Sequence, residues 1–514
     1  MTRARWAAAI VGVWLFALGW LVKREYFQST GERLARAAFA IPPGAAYYRL
    51  EAGGQQMGFA SLTVDTTLDS IRVDDVLVLE VPAAGRLRRT TARSTASLSR
   101  TMRLRSLELA YDGELGRFSA RGEVEGDSVL RLTVWSAADS HTARLPYRRS
   151  AVPPSLVALR LALTGQLDPG ASALVHVLDP LTLAERDVAV RVTAESTLIV
   201  ADSADYDSTA MAWFPVLFDT VPAFRLVETA AGVPISSWVD GEGRIVRAQY
   251  PSGFIVDRSA FEIAYENFRR RDTARAVAAS RAPPPGAVIA APALDVVAIA
   301  STEPRVALRV RVSGGDVARL SLAGGAQRLI GDTLVIERPT GLPDQPGYRL
   351  PFLGSRDTAL APALRPEPFI ESDDPRIQAQ VRQILGRERD PIDATTQLIR
   401  WVHEQVDPRA DGAAPAAVGV LTRRRGDANA HATLFVALAR AAGLPARPVA
   451  GLLYVNDRFY HHAWAEVWLG TWIPVDPLLG QAPADAAHLR LVPGALARQL
   501  DLIRALGALK LEVL

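Results

Sequence analysis

Apolar residues alternate at every second position through much of the first half of this chain, and move to a three-to-four-residue spacing only after about residue 370. Period two belongs to strands with one buried face, and period 3.6 to amphipathic helices, so the chain must fold in at least two regimes. Leu62 and Val64, Ile71 and Val73, and Leu130, Leu132 and Val134 carry the first pattern. Asp112-Gly113, Glu125-Gly126-Asp127 and Asp240-Gly241-Glu242-Gly243 supply turns between strands. The last of these turns sits inside a hairpin pattern running from Ser237 to Arg247. Ser259-Ala260-Phe261-Glu262 reads as a capping box that opens a helix ending in Arg269-Arg270-Arg271, a solvated end.

Arg281-Ala282-Pro283-Pro284-Pro285-Gly286 begins an extended linker, after which Val306, Leu308, Val310 and Val312 alternate as a small β-module. Beyond it, Asp374-Pro375 and Asp390-Pro391 each place an N-cap before a helix-starting proline. The first helix presents Ile377, Val381, Ile384 and Leu385, and the second Leu398, Trp401, Val402 and Val406. Asp427 caps a third helix bearing Leu434, Leu438 and Ala441, which Gly443 and Pro445 stop. Strands follow over 449–455, 459–469 and 472–475, so this end has the helix-then-strand order of an α+β domain. The expected division is an anchor over 1–24, a β-rich region over 25–280, a linker over 281–293, a β-module over 294–365 and an α+β domain over 366–514.

A length of 514 residues calls for several cores. The net charge of +3, from 58 basic and 55 acidic residues, is no footprint for nucleic acid. No cysteine is present, which excludes disulfides, thiolate metal sites and thiol catalysis. Trp6–Val22 is an unbroken apolar run of 17 residues with Arg3 and Arg5 before it and Lys23 and Arg24 after it. That length reaches the short end of a bilayer span, and Trp6 and Trp20 suit its two interfaces. No small-x-small pair follows closely enough for cleavage, so the expectation is an uncleaved signal anchor. It would leave the N-terminus cytoplasmic, one pass through the inner (cytoplasmic) membrane, and the bulk of the chain extracytoplasmic, or periplasmic.

The chemistry-bearing motifs lie together in the last third. Arg423-Arg424-Arg425-Gly426-Asp427-Ala428-Asn429-Ala430-His431-Ala432 opens the third helix, and His462-Ala463-Trp464 and Val475-Asp476-Pro477 follow on successive strands. A thiolate nucleophile is well served by a helix N-terminus, and a carboxylate-oriented histidine from another element can act as its base. Ala428 occupies the first of those places, while His462 and Asp476 suit the second. On the strand, His462, Trp464, Glu466 and Trp468 share one face, and His461 and Ala463 the other.

These blocks, with the helix through Leu444-Pro445-Ala446-Arg447 and the segment Ala484–His488, resemble the bacterial transglutaminase-like (transglutaminase/cysteine-protease-like) superfamily over about residues 375–495. The resemblance implies a papain-like Cys-His-Asp site at the pattern Gly-Asp-Cys-x-Glu-His-Ala. Here Ala428 replaces the cysteine and Ala430 the glutamate. Two neighbouring losses fit relaxed selection on thiol chemistry. The expectation is a catalytically inactive binding or scaffold module for a peptide, a cell-wall component or a protein partner, with no cofactor. Asp427, Asn429, His431, His461 and Trp464 are its candidate groove residues. The alternative is a hydrolase of amide bonds that activates water through His462 and Asp476 or through a metal held by His431, His462 and Asp476. The metal version lacks a local ligand-spacing motif, so no metal is assigned.

Overall fold

Among the described residues, fourteen strands form one open antiparallel sheet in the N-terminal half of this computed structural model. The structure describes residues 43–52, 54–83, 86–113, 116–136, 139–179, 184–230, 233–250, 254–270, 288–289, 304–313, 322–353, 359–409, 412–494 and 510–514. The chain runs as a meander from β1 (Gly44–Ala52) to β8 (Asp139–Pro146) and as a second meander from β9 (Ser172–Asp179) to β14 (Phe254–Ser259). β1 pairs with β14, Tyr47 opposite Ser259, so the two meanders join at a central seam and leave β8 and β9 as edges. Helix α1 (Val157–Leu163) lies between those edge strands in sequence. Leu156, Val157, Leu159 and Leu161 pack into the same core as Ile71, Leu98, Val177 and Leu226. The apolar helix thereby covers sheet faces that the edge strands alone would leave wet.

The capping box expected at Ser259 does not form. Ser259 is the last residue of β14, and no side chain caps the helix that follows. That helix, α2, is a π-helical turn over Glu262–Glu266 continued by Asn267–Arg270. The Trp6–Val22 run, read above as the anchor, lies outside the described residues, as does Arg271. Among the described residues no helix is long and apolar enough to cross a membrane.

The C-terminal half places four helices before a mixed sheet: α3 (Pro375–Leu385), α4 (Pro391–Gln405), α5 (Ala417–Arg423) and α6 (Ala428–Ala441). Asp374 caps α3 by accepting from Arg376 N–H, and Asp390 caps α4 by accepting from Ile392 and Asp393. The sheet is built on β19 (Ala446–Val455), β20 (Arg458–Trp468), β21 (Trp472–Val475) and β22 (His488–Pro493). Leu434, Phe435, Val436 and Leu438 of α6 are fully buried in one core with Ile377, Leu398, Val420 and Ala465.

The strands read as a small β-module share a core with this domain. β16 (Ala307–Ser313), β17 (Gln327–Ile330) and β18 (Thr333–Glu337) form a sheet that β23 (Lys510–Val513) completes. Leu308, Val310, Leu334 and Ile336 pack with Ala450, Leu452, Phe459 and Leu489. A sheet this small cannot bury its own apolar face, which is the physical reason for the merger. Gln327 stitches the two by donating to Arg490 O at 2.9 Å and accepting from Arg490 N at 2.9 Å.

The α+β domain docks on the end of the large sheet opposite the start of β1. Gly44 pairs with Val64 and Ser70 with Ser99 at one end, while Gly113 pairs with Gly116 at the other. At that second end Arg117 N donates to Gly412 O at 2.8 Å, and Ser136 Oγ accepts from Ala414 N at 3.0 Å. Phe369 sets its edge on Phe118, centroids 5.3 Å apart, over a core shared by Ala92, Leu109, Val134 and Ala414. Gly116 has φ +80°, and a Cβ there would overlap Ala413 O. Gly116→Val should therefore weaken the docking by about 1–3 kcal/mol. Small-angle scattering should show a larger radius of gyration with both halves still folded by circular dichroism; an unchanged scattering profile would contradict the docking described.

Candidate active-site frame

Asp427 starts α6 by accepting Ala430 N–H at 3.1 Å, which leaves Ala428 and Asn429 in the first turn, half-buried. The approach loop is fixed from below. Arg424 adopts φ 54° and lays its guanidinium 4.4 Å over Trp401, and Asp407 bridges Arg424 O and Gly426 N through its backbone. Position 428 therefore sits where free N–H groups and the helix dipole favour a negative atom. The methyl group of Ala428 supplies none.

β19 and β20 are joined by a tight turn with Asn456 at φ 49° and Asp457 at φ 59°, left-handed conformations that suit these residues. The turn fixes the register that sets Gly451 opposite His462. His462 Nε2 lies 2.7 Å from Asp476 Oδ2, and both side chains are fully buried. A second histidine reaches the same oxygen, His488 Nε2 at 2.9 Å. Asp476 Oδ1 accepts from Leu478 N at 2.8 Å and Leu479 N at 3.1 Å. Burial opposes ionisation of Asp476, but His462 and then His488 outweigh it and hold the carboxyl well below its ordinary range. His488 also faces Asp485, Nδ1 to Oδ1 2.9 Å. Burial lowers the His488 pKa, yet hydrogen bonds to Asp476 and Asp485 prevail and raise it to about 9. Both His488 nitrogens thus donate, and the ring is an imidazolium at neutral pH.

His462 Nδ1, His461 Nε2, Trp464 Nε1 and Asn429 Oδ1 are buried without a hydrogen-bond partner. Three belong to β20 and one to the first turn of α6, and these elements pack together. Burial, then His462, pushes His461 down to about 4, so its ring is neutral. Trp464 stacks on His462 at 6.1 Å, and its indole edge lies 2.5 Å from where a Cβ on Gly451 would stand. Glu466 turns instead to Arg447 and Arg490.

His431 does not join the site. Its Nδ1 contacts Asp427 O at 2.9 Å and its Nε2 Val406 O at 3.2 Å, so it ties the first turn of α6 to the end of α4. The buried group that could gather round a cation is His462, Asp476 and His488, with ligand atoms within 4.8 Å of one another. In the sequence His488 stands out only within the block Ala484–His488, and the signal that promotes it is Asp485 three residues earlier.

Residues 378–477 match the model of the transglutaminase-like superfamily. The C-terminal domain is transglutaminase-like. No curated protein matched the chain. Among solved structures, a candidate cysteine protease from Cytophaga hutchinsonii aligns at 17% identity, over 41% of this chain and 78% of its own, with TM-score 0.26. A β-barrel-like protein of a domain of unknown function from Brucella abortus aligns at 13% identity, over 42% of this chain and 96% of its own, with TM-score 0.30. A Pseudomonas aeruginosa protein aligns at 10% identity, over 38% of this chain and 89% of its own, with TM-score 0.21.

The transglutaminase-like domain holds His462 and Asp476 as a buried pair, and Ala428 at the start of α6. Its charge cluster has a pH signature. The pKa of His488 is higher in the folded state than its ordinary 6.5, so its contribution is complete below that value and fades as pH rises through about 9. The stability gap between parent and His488→Gln should be largest below about pH 6.5 and shrink by on the order of 3 kcal/mol toward pH 10. Denaturant melts across pH would show this; a pH-independent gap would remove the imidazolium.

Proposed function

We propose that this chain is a membrane-anchored, extracytoplasmic transglutaminase-like protein that no longer performs thiol chemistry and uses its former active-site groove to bind a peptide, a cell-wall component or a partner protein. The observation that carries the reading is the polarity of His462. One nitrogen is held by Asp476, and the other is buried and unbonded on a frame where position 428 is alanine. A lone buried acceptor or donor costs about 1–3 kcal/mol, so the unbonded His462 Nδ1 and Trp464 Nε1, on one face of β20, favour a ligand that supplies the missing partners. Anchoring rests on the Trp6–Val22 run and its flanking charges.

A second reading is favoured by one observation, the buried cluster of His462, Asp476 and His488. Two imidazoles and a carboxylate suit zinc or iron, and a bound metal would supply an activated water for amide hydrolysis. Against it stands the His488 imidazolium, which has no lone pair at Nε2 until a proton leaves. Stoichiometric metal in the purified chain, with turnover lost on chelation, would establish this reading.

The absence of any other thiol makes the leading proposal testable at one atom. Ala428→Cys should create a thiol with a pKa well below the ordinary value of about 8.5. Its alkylation rate across pH should lose that depression in the His462→Ala background. An ordinary pKa in both backgrounds would mean that the frame has drifted. Amide hydrolysis or crosslinking by the parent chain that disappears in His462→Ala would overturn the inactive reading altogether.

A further inference from the structure

The longest hairpin of the large sheet ends in apolar side chains that nothing in the described structure covers. β10 (Ala184–Asp207) and β11 (Ala212–Ala230) pair along nearly their whole length. β11 meets β12 (Val233–Asp240) only from Ala223 onward, so the outer part of the hairpin runs past the body of the sheet. There Leu217 is 63% exposed, Phe218 57% and Ile199 72%, with Met211, Phe214 and Val216 also exposed. Both faces of the strand are involved, because the run Phe214-Pro215-Val216-Leu217-Phe218 has no polar alternate. Surface patches of this kind on a soluble domain mark an interaction site.

Position identifies the occupant. The hairpin overruns the sheet at the Asp240 end, which is also the end of Ser259 and Gly44. It bends onto α2, where Trp213 N donates to Asn267 Oδ1 at 2.8 Å and Arg270 lies 4.9 Å from the Tyr206 ring. The start of β1 and this apolar tip thus share one end of the molecule, and the transglutaminase-like domain occupies the other. Twenty-one residues, 23–43, separate the Trp6–Val22 run from Gly44. Even fully extended they span at most roughly 75 Å, so in an anchored chain this end, rather than the transglutaminase-like domain, is the one tethered to the bilayer. Asp202, Asp205, Asp207 and Asp219 flank the tip, which disfavours anionic headgroups and leaves apolar burial as the driving force.

We propose that the tip of the β10–β11 hairpin is a second membrane contact that buries Phe214, Leu217 and Phe218 at the level of the lipid headgroups and upper acyl chains. This rests on the anchor reading above, and the test separates the two. In the cysteine-free chain, an environment-sensitive dye is attached at Leu217→Cys, or at Leu353→Cys, which is 83% exposed, on the far domain. The protein is reconstituted into phosphatidylcholine vesicles that carry a nitroxide on the acyl chain. Flotation with the vesicles reads the anchor, and quenching of the dye reads the hairpin. The expected result is flotation in both cases, with quenching at position 217 several-fold stronger than at 353 and insensitive to salt. Flotation with equal, weak quenching at both positions overturns the hairpin contact and leaves the anchor standing. A blue-shifted but unquenched dye at 217 also overturns it, in favour of a protein partner or a second copy. Failure to float removes both.

Discussion

Asp476 has every lone pair engaged, and the transglutaminase-like site is arranged around that fact. Two imidazoles converge on one oxygen and two backbone N–H groups on the other, with the carboxylate fully buried. A buried carboxylate is tolerated only when it is satisfied in this way, and removing one partner of such a group costs more than the net worth of the contact. The end of β21, the middle of β20 and the start of β22 are thereby held in one relative position. Asp485 extends the arrangement by fixing the second ring nitrogen of His488.

On the reading proposed above, this accounts for the persistence of the His462–Asp476 frame beside an alanine at position 428. A cysteine at a helix N-terminus carries reactivity but little packing, and alanine replaces it without opening a large cavity. His462 and Asp476 are different, because each leaves the other charged or unbonded in a dry place. The histidine and carboxylate are therefore structural as well as chemical, and their retention alone is no evidence for turnover. The unbonded Nδ1 of His462 is the part of the frame that structure does not need.

Local physics was legible in the sequence. Asp374, Asp390 and Asp427 cap the helices that their positions suggested. Pairings between distant segments were not. Nothing in residues 510–513 announces a partner at 310–313, and the capping pattern at Ser259 was overridden by strand pairing with Tyr47. In the site, His462 and Asp476 could be placed from spacing and resemblance. His431, expected among the groove residues, has its ring nitrogens against the carbonyls of Asp427 and Val406, a placement that sequence spacing does not reveal. His488 enters through a strand on the far side of β19, and only the folded sheet brings it to Asp476.

The seam between β1 and β14 has a consequence for how the large sheet is acquired. Each meander is made of neighbouring hairpins, whose contacts close short loops and form early. The seam joins segments about two hundred residues apart, with Tyr47 opposite Ser259 and Ala52 opposite Phe254. Such a closure waits on large loss of chain entropy. The two meanders are thus natural folding units, each with one sheet edge unsatisfied until they meet. During synthesis, the first must keep the inner edge of β1 unpaired until β14 has emerged. That interval, rather than the finished molecule, is when this chain is most open to pairing with a strand other than its own.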